Sequence, residues 1–182
     1  MTRHRYAVEG WGVGEIAVRG TMLVAHAFPS RQRRRSLSGC PPKGGASTPE
    51  VTVASDLSRE RDVFVSDLCQ RVEAHLAGIR TTYGDMELET AGLSAFQREL
   101  LDAIRSVAWG EVVTYGGLAA LAGRPRAARA AGTFCAECRH ALVVPCHRVV
   151  AAGRGEPFEL GGYGAPGARL KRRLLALEGT IL

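Results

Sequence analysis

Between residues 6 and 28 the chain carries short apolar runs of the kind that form strands. Gly14-Glu15-Ile16-Ala17-Val18 and Met22-Leu23-Val24-Ala25 flank Arg19-Gly20-Thr21, which predicts two strands joined by a short hairpin connection. Leu57, Phe64, Leu68, Val72 and Leu76 then fall largely four residues apart, the period of one helix face, and Gly78 closes that helix. Cys69 and His75 belong to it, as a packed thiol and a surface imidazole. In the second half, Ser94 followed by Gln97 forms a capping-box pattern, and Phe96, Leu100, Ile104 and Val107 give a helical stripe that Trp109-Gly110 stops. Thr114 is placed to cap a helix over 115–122, closed by Gly123, and Pro125 suits the first turn of another over 125–133. Two short helices about a tight Gly-containing turn predict a helix-turn-helix. Leu170, Leu174 and Leu177 mark a last helix that ends at Glu178-Gly179, with Arg169, Lys171, Arg172 and Arg173 on its exposed face.

These elements predict a small α/β N-terminal domain, a sheet plus a helix over 1–88, followed by a mainly α domain over 89–182 that holds the helix-turn-helix. With 46% hydrophobic residues the chain has the composition of a soluble globular protein. It has no run of eighteen apolar residues, so no membrane helix is expected, and the charged N-terminus lacks the apolar stretch of a secretory signal. Five cysteines at irregular spacing do not describe a disulfide framework and point to the cytoplasm. A net charge of +6 favours a polyanionic partner. Part of it is the cluster Arg31, Arg33, Arg34, Arg35 and Lys43, in a Ser/Pro/Gly-rich stretch at about 29–55 that reads as a mobile basic loop, with a second reading as a phosphate-attracting arm.

Chemistry concentrates at Val143-Val144-Pro145-Cys146-His147-Arg148-Val149. Segments 141–144 and 149–152 read as buried and extended, which puts Cys146 at a corner that Pro145 stiffens. A thiol becomes a strong nucleophile as the thiolate, and a neighbouring histidine favours that form. The dipeptide alone also fits a structural cysteine beside an incidental histidine. Residues 125–132, Pro-Arg-Ala-Ala-Arg-Ala-Ala-Gly, allow two readings as well. The small side chains let a helix approach DNA while arginines contact phosphates, or they pack an alanine-rich core helix.

Pro145-Cys146-His147-Arg148-Val149 resembles the active-site signature of the O6-alkylguanine-DNA alkyltransferases, also called methylated-DNA–protein-cysteine methyltransferases. Similarity extends over about residues 93–179, through Gly110-Glu111-Val112-Val113-Thr114-Tyr115, Leu118 to Gly123, Ala127-Ala128-Arg129-Ala130 and Leu174 to Gly179. The resemblance implies a single-turnover DNA repair enzyme. It would bind double-stranded DNA through the minor groove, flip out O6-alkylguanine (and O4-alkylthymine), and move the alkyl group irreversibly to Cys146. It assigns His147 and Glu178 to a Cys–water–His–Glu relay. Tyr115 is assigned to turning out the target nucleotide, with its hydroxyl a proton donor to the leaving guanine, and Arg129 to filling the vacated stack. Thr114, Arg126, Ala127 and Gly132 complete the implied DNA-binding set, and Cys135, Val149, Tyr163 and Gly164 the alkylguanine pocket. A monomer, no cofactor and no membrane partner are expected. Some family members bind zinc in the N-terminal domain, but His4, His26, Cys40 and His75 do not make a convincing ligand set, so no metal is expected.

Two departures stand out. The family's usual Asn-Pro, eight residues before the reactive cysteine, is Cys138-Arg139 here. A thiol is a weak donor and acceptor, so the bracing of the active-site loop must be looser or come from elsewhere. The loop after Val149 is also long, with Gly153-Arg154-Gly155-Glu156-Pro157, which leaves the pocket's shape open. Cys135-Ala136-Glu137-Cys138 is a Cys-x-x-Cys that can be read as half a zinc site, or as bringing Cys138 close enough to Cys146 for a silencing disulfide. The main alternative function is a non-catalytic lesion sensor that recruits other repair factors. A helix-turn-helix regulator is disfavoured by the near absence of Asn, Gln and Ser in 125–132.

Overall fold

The structure is a computed structural model that describes residues 1–30, 56–153, 158–163 and 167–180. From residue 31 onward the expected basic loop at 29–55 lies outside the described residues. Strands β1 (Thr2–Val8), β2 (Gly12–Arg19) and β3 (Met22–Ser30) form an antiparallel sheet in that order. The hairpin connection after Arg19 is thus where the sequence places it, and β1 adds a third strand. Tyr6 pairs with Gly14 across β1 and β2. The Tyr6 ring lies over that glycine, where any Cβ would overlap it. Helix α1 (Asp56–Leu76) lays Val65, Leu68, Val72 and Leu76 into the core with Ile16, Val18 and Leu23 of the sheet. Each such side chain contributes about 1.5–3 kcal/mol by leaving water.

The second half begins with α2 (Ala95–Ser106), whose capping box is complete: Gln97 N donates to Ser94 Oγ (3.3 Å) and Ser94 N donates to Gln97 Oε1 (2.9 Å). The helix stops before Trp109-Gly110, with Val107 as its C-cap. β4 (Val113–Thr114) leads into α3 (Tyr115–Leu121), and Thr114 Oγ1 caps α3 by accepting from Gly117 N at 2.9 Å. α4 is Ala128–Glu137. The sequence starts this helix at Pro125; the structure starts it three residues later, because residues 124–127 form a turn closed by Ala127 N on Arg124 O (2.9 Å). After a 3-10 turn at Cys146–Arg148 come β5 (Val149–Ala152), β6 (Phe158–Glu159) and α5 (Gly167–Leu177). β5 pairs in parallel with β4 and antiparallel with β6, so the mainly helical half also carries a small sheet. One hydrophobic cluster runs from Ile16 and Leu68 through Leu100 and Ile104 to Val149 and Leu174.

Segment 141–144 is a correction to the sequence reading. It is not extended: Val144 N donates to His140 O (2.8 Å), Val143 N donates to Ala141 O (2.9 Å), and Leu142 has φ 69°. An apolar run gives the same periodic signal whether it is a strand or a tight buried turn. Strand β3 holds this turn from the other half of the chain. His26 N donates to Arg139 O (2.8 Å), and the His26 ring donates through Nδ1 to Ala141 O while Nε2 accepts from the Tyr6 hydroxyl. Burial lowers the His26 pKa to about 4, so the ring stays neutral in this arrangement.

This arrangement predicts that His26→Phe, which leaves Ala141 O without its donor, loses about 1–3 kcal/mol in urea unfolding and speeds hydrogen exchange at Val143 and Val144. His26→Asn, whose amide nitrogen can stand in for Nδ1, should fall between Phe and wild type. Equal stability of the Phe variant and wild type would show that the contact does not hold the turn.

Candidate active site

The turn 140–144 delivers the chain into Pro145, and Cys146 N donates to Val144 O at 2.8 Å while Arg148 N donates to Pro145 O at 2.9 Å. These bonds wind Cys146, His147 and Arg148 into a single 3-10 turn, so consecutive side chains leave in different directions. All three are buried: Cys146 is 5% exposed, His147 0% and Arg148 7%. Buried charge needs a partner, and Glu178, just past the last residue of α5, supplies it. Arg148 Nε donates to Glu178 Oε2 (2.8 Å) and Nη2 to Oε1 (2.9 Å), a bidentate pair, while Nη1 donates to Val107 O (2.7 Å). His147 Nε2 lies 2.8 Å from Glu178 Oε1, a bond that fixes Nε2 as the protonated nitrogen facing the carboxylate. Nδ1 is buried with no hydrogen bond to the described residues, which leaves it able to accept a proton.

The expectation for His75 is overturned. Its ring is fully buried, with Nε2 3.1 Å from Glu178 Oε1, though off the line a hydrogen bond needs. Trp109, Tyr83 and His147 enclose it, with ring centroids 4.6, 5.9 and 5.9 Å away. The residue sits on the inner side of the helix stripe, one position before Leu76, and periodicity does not resolve a one-residue offset of that kind. Lys171 is likewise buried and not part of an exposed basic face. Its ammonium donates to Val149 O and Gly162 O and lies 5.6 Å from the Tyr115 ring centroid. Burial lowers its pKa to about 8. Arg173 stacks on Trp11 at 3.4 Å.

The electrostatics fit proton transfer away from a thiol. Hydrogen bonds with Cys135 and Cys138, together with burial, push the Cys146 thiol well above its usual range, so it needs a base. Burial lowers the His147 pKa to about 4 despite Glu178, so the imidazole is neutral and able to act as one. Burial would raise Glu178, but the hydrogen bonds from His147 and Arg148, with the His75 imidazole close by, outweigh it and hold the carboxyl well below the usual carboxylate range.

Tyr115, the first residue of α3, donates from its hydroxyl to Gly162 O (3.2 Å). Burial, then Cys135 and Cys146, raise its pKa to about 12, so it stays a donor. Tyr163 is buried edge-on between Phe28 and His147, at 6.4 and 6.5 Å. Val149 is buried and Cys135 half-buried, both beside Cys146, while Gly164 and most of the long loop, 154–157, lie outside the described residues. On α4, Ala131 and Phe134 are buried while Arg129 and Ala130 are exposed, as is Arg126 in the turn before it. Ala127 and Gly132 are half-buried, Gly132 close to the Tyr115 ring. The inner face of α4 thus packs into the core, as the alanine-rich reading expects, and its outer face carries Arg129 in solvent.

Among the described residues, one set can hold a metal: His75, His147 and Glu178, whose ligand atoms lie within 4.8 Å of one another. The set does not suit a dication, because both carboxylate oxygens already serve the Arg148 guanidinium. His4 and His26 lie elsewhere, on β1 and β3, and Cys40 lies outside the described residues. Sequence reasoning missed Arg148, His75, Lys171 and His26. Arg148 carried a signal, since a guanidinium between buried valines requires a buried carboxylate.

Removing Glu178 strands Arg148, so Glu178→Ala should lose about 3–5 kcal/mol in urea unfolding; a loss under 1 kcal/mol contradicts the buried pair. The two buried neutral histidines set an acid dependence. His26 and His147 bind protons near 6.5 when unfolded but only near 4 when folded. Between those values the unfolded state binds more protons, so stability is level above 6.5 and falls as the pH drops toward 4. Unfolding at pH 5 against pH 7.5 should show a loss on the order of 2 kcal/mol per histidine, and the double variant His26→Asn/His147→Asn should flatten it.

A family model described as "6-O-methylguanine DNA methyltransferase, DNA binding domain" matches residues 95–180. A methylated-DNA–protein-cysteine methyltransferase of Methanosarcina acetivorans is 36% identical over 121 residues, which cover 66% of this chain and 73% of that protein. One from Salmonella typhimurium is 40% identical over 115 residues, 63% of this chain and 64% of its own length. The crystal structure of Mycobacterium tuberculosis OGT in complex with DNA superposes with a TM-score of 0.70 at 29% identity, over 97% of this chain and 92% of that one. The O6-methylguanine-DNA methyltransferase from Pyrococcus kodakaraensis, at 21% identity and a TM-score of 0.54, shares the fold. With a thiol, a neutral buried histidine and its carboxylate assembled within the matched segment, this chain belongs to the methylated-DNA–protein-cysteine methyltransferase family.

Proposed function

We propose that the chain repairs DNA by moving the alkyl group of O6-alkylguanine, and of O4-alkylthymine, to Cys146. The observation that carries this reading is the Glu178–His147 bond at 2.8 Å beneath a buried thiol. His147 Nδ1 takes the Cys146 proton through a water, and the resulting imidazolium is stabilised by Glu178. The thiolate attacks the alkyl carbon in line, the carbon–oxygen bond breaks, and guanine departs as the anion or takes a proton from the Tyr115 hydroxyl. Lys171, close to Tyr115, adds a positive charge near both the thiolate and the departing base. The product is a thioether, which has neither a leaving group nor a carbonyl for water to attack. Each chain therefore acts once.

An alkyl carbon inside a duplex cannot meet a buried sulfur until its base leaves the stack. We assign the base exchange to α3 and α4 as a helix-turn-helix in the minor groove, with residues 89–182 the DNA-binding and alkyl-acceptor domain and 1–88 its support. Arg129 is exposed on the first turn of α4, where it can enter the vacated stack, while Arg126 is exposed in the preceding turn. Thr114, Ala127 and Gly132 shape the surface around Tyr115, and we assign Cys135, Val149 and Tyr163 to the pocket for the flipped base, with Gly164 assigned to it by the family resemblance alone. A monomer acting in the cytoplasm suits a single-use protein; no helix among the described residues is long and apolar enough to cross a membrane. The sensor reading lacks support, since a sensor has no use for an assembled thiol, base and carboxylate.

Incubation with a duplex carrying O6-[labelled methyl]guanine should place one label per chain on Cys146. Label elsewhere, or tight lesion binding with no label, overturns the reading and, in the second case, favours a sensor. Arg129→Ala should slow single-turnover transfer tenfold to a hundredfold, the kinetic equivalent of about 1–3 kcal/mol of lost stacking. An unchanged rate would remove Arg129 from the flipping step.

A further inference from the structure

The proposed alkyl transfer makes no use of Cys138, yet the fold brings this residue back toward Cys146. It is the C-cap of α4, directly before the turn that returns the chain to Pro145. That turn is closed by Val144 N on His140 O (2.8 Å), so the residues two positions outward on its two arms, Cys138 and Cys146, come back together. The Cys138 and Cys146 thiols are close enough to shift each other's ionisation, as are those of Cys135 and Cys146. His140 lines the same cavity as Cys138, and its Nε2 is buried with no partner among the described residues. Cys138 also lines a cavity of about 490 Å³ together with Phe134, Arg139, His140, Leu93 and Gln97, large enough to admit a small solute beside it. Cys146 is 5% exposed and Cys138 half-buried.

We propose that Cys138 is a peroxide-reactive modification site whose oxidation captures Cys146 as a reversible disulfide and so blocks the alkyl acceptor. The inference rests on the reading of Cys146 as that acceptor. A hydroperoxide enters by the cavity, and the Cys138 thiolate attacks its outer oxygen, releasing the alcohol or water and leaving Cys138 as the sulfenic acid. The Cys146 sulfur then displaces the hydroxyl as water, and the Cys138–Cys146 bond forms. In total, two thiols and one hydroperoxide give one disulfide, one water and one alcohol (or a second water). A cellular dithiol reverses the step and returns the acceptor unspent. Cys138 is the first to react because it has both the access and the imidazole. Hydrogen bonds from Cys146 and His140 also lower its pKa, while Cys146 is pushed the other way.

The test treats the full chain with equimolar hydrogen peroxide, quenches with catalase, and digests without reduction after arginine and glutamate. Cleavage after Glu137 and Arg139 separates Cys135, Cys138 and Cys146 into different peptides. A Cys138–Cys146 linked pair, with transfer activity lost and then restored by dithiothreitol, is the expected result. In Cys138→Ser the linked pair should be absent and peroxide inactivation at least tenfold slower. Free thiols, separately oxidised thiols, or a Cys135–Cys146 pair in wild type overturn the proposal. So does equal peroxide sensitivity of the Cys138→Ser protein. The peptide readout needs no DNA, so it stands or falls separately from the alkyl-transfer reading.

Discussion

The structure depends on one buried carboxylate. Glu178 takes two hydrogen bonds from Arg148 and one from His147, and has His75 against the same oxygen that faces His147. These four side chains come from α1, the reactive turn and the end of α5, so the site is the point at which distant parts of the chain are locked together. A carboxylate at a helix C-terminus is opposed by the helix dipole, and burial adds a further cost. Both are offset here by the guanidinium and by the imidazole that the carboxylate orients. The interaction therefore has two roles. It holds the reactive turn in place, and it keeps one face of His147 occupied so that the other can receive a proton.

The second constraint is how the loop before Cys146 is held. The family resemblance implies an asparagine where this chain has Cys138, and the contacts that hold the loop here come from β3. β3 reaches across from the N-terminal sheet, and His26 bonds Arg139 O through its backbone and Ala141 O through its ring. The sheet that carries no reacting group thus positions the turn that leads to the thiol. Position 138 carries a second sulfur, and the redox chemistry proposed above rests on it.

Much of this was legible in the sequence, and particular residues explain the limits. The hairpin connection, the α1 stripe, the Ser94–Gln97 box and the Thr114 cap are local signals, and each lies where local rules place it. Cys146, His147 and Glu178 could be paired only through family resemblance, since residues thirty-one apart carry no sequence mark of contact. His75 and Lys171 were misplaced for a common reason. Each is a polar residue on a helix whose stripe looks complete without it, and only the packed structure shows the partners (Glu178; the Val149 and Gly162 carbonyls) that make burial tolerable. The 141–144 turn was read as extended because apolar periodicity cannot distinguish a buried turn from a buried strand.

The central claim is that a neutral His147, oriented by Glu178, takes the proton from Cys146. The most direct measurement is single-turnover methyl transfer at saturating duplex across pH 5.5–8, for wild type and Glu178→Gln. With the His147 pKa near 4, the base is available throughout, so the wild-type rate should be nearly flat. The variant, without an anion to stabilise the imidazolium, should be at least tenfold slower at the acid end and recover as the pH rises. A wild-type rate that climbs about tenfold per pH unit, as expected for a thiol ionising with no internal base, and that is matched by Glu178→Gln would contradict the account.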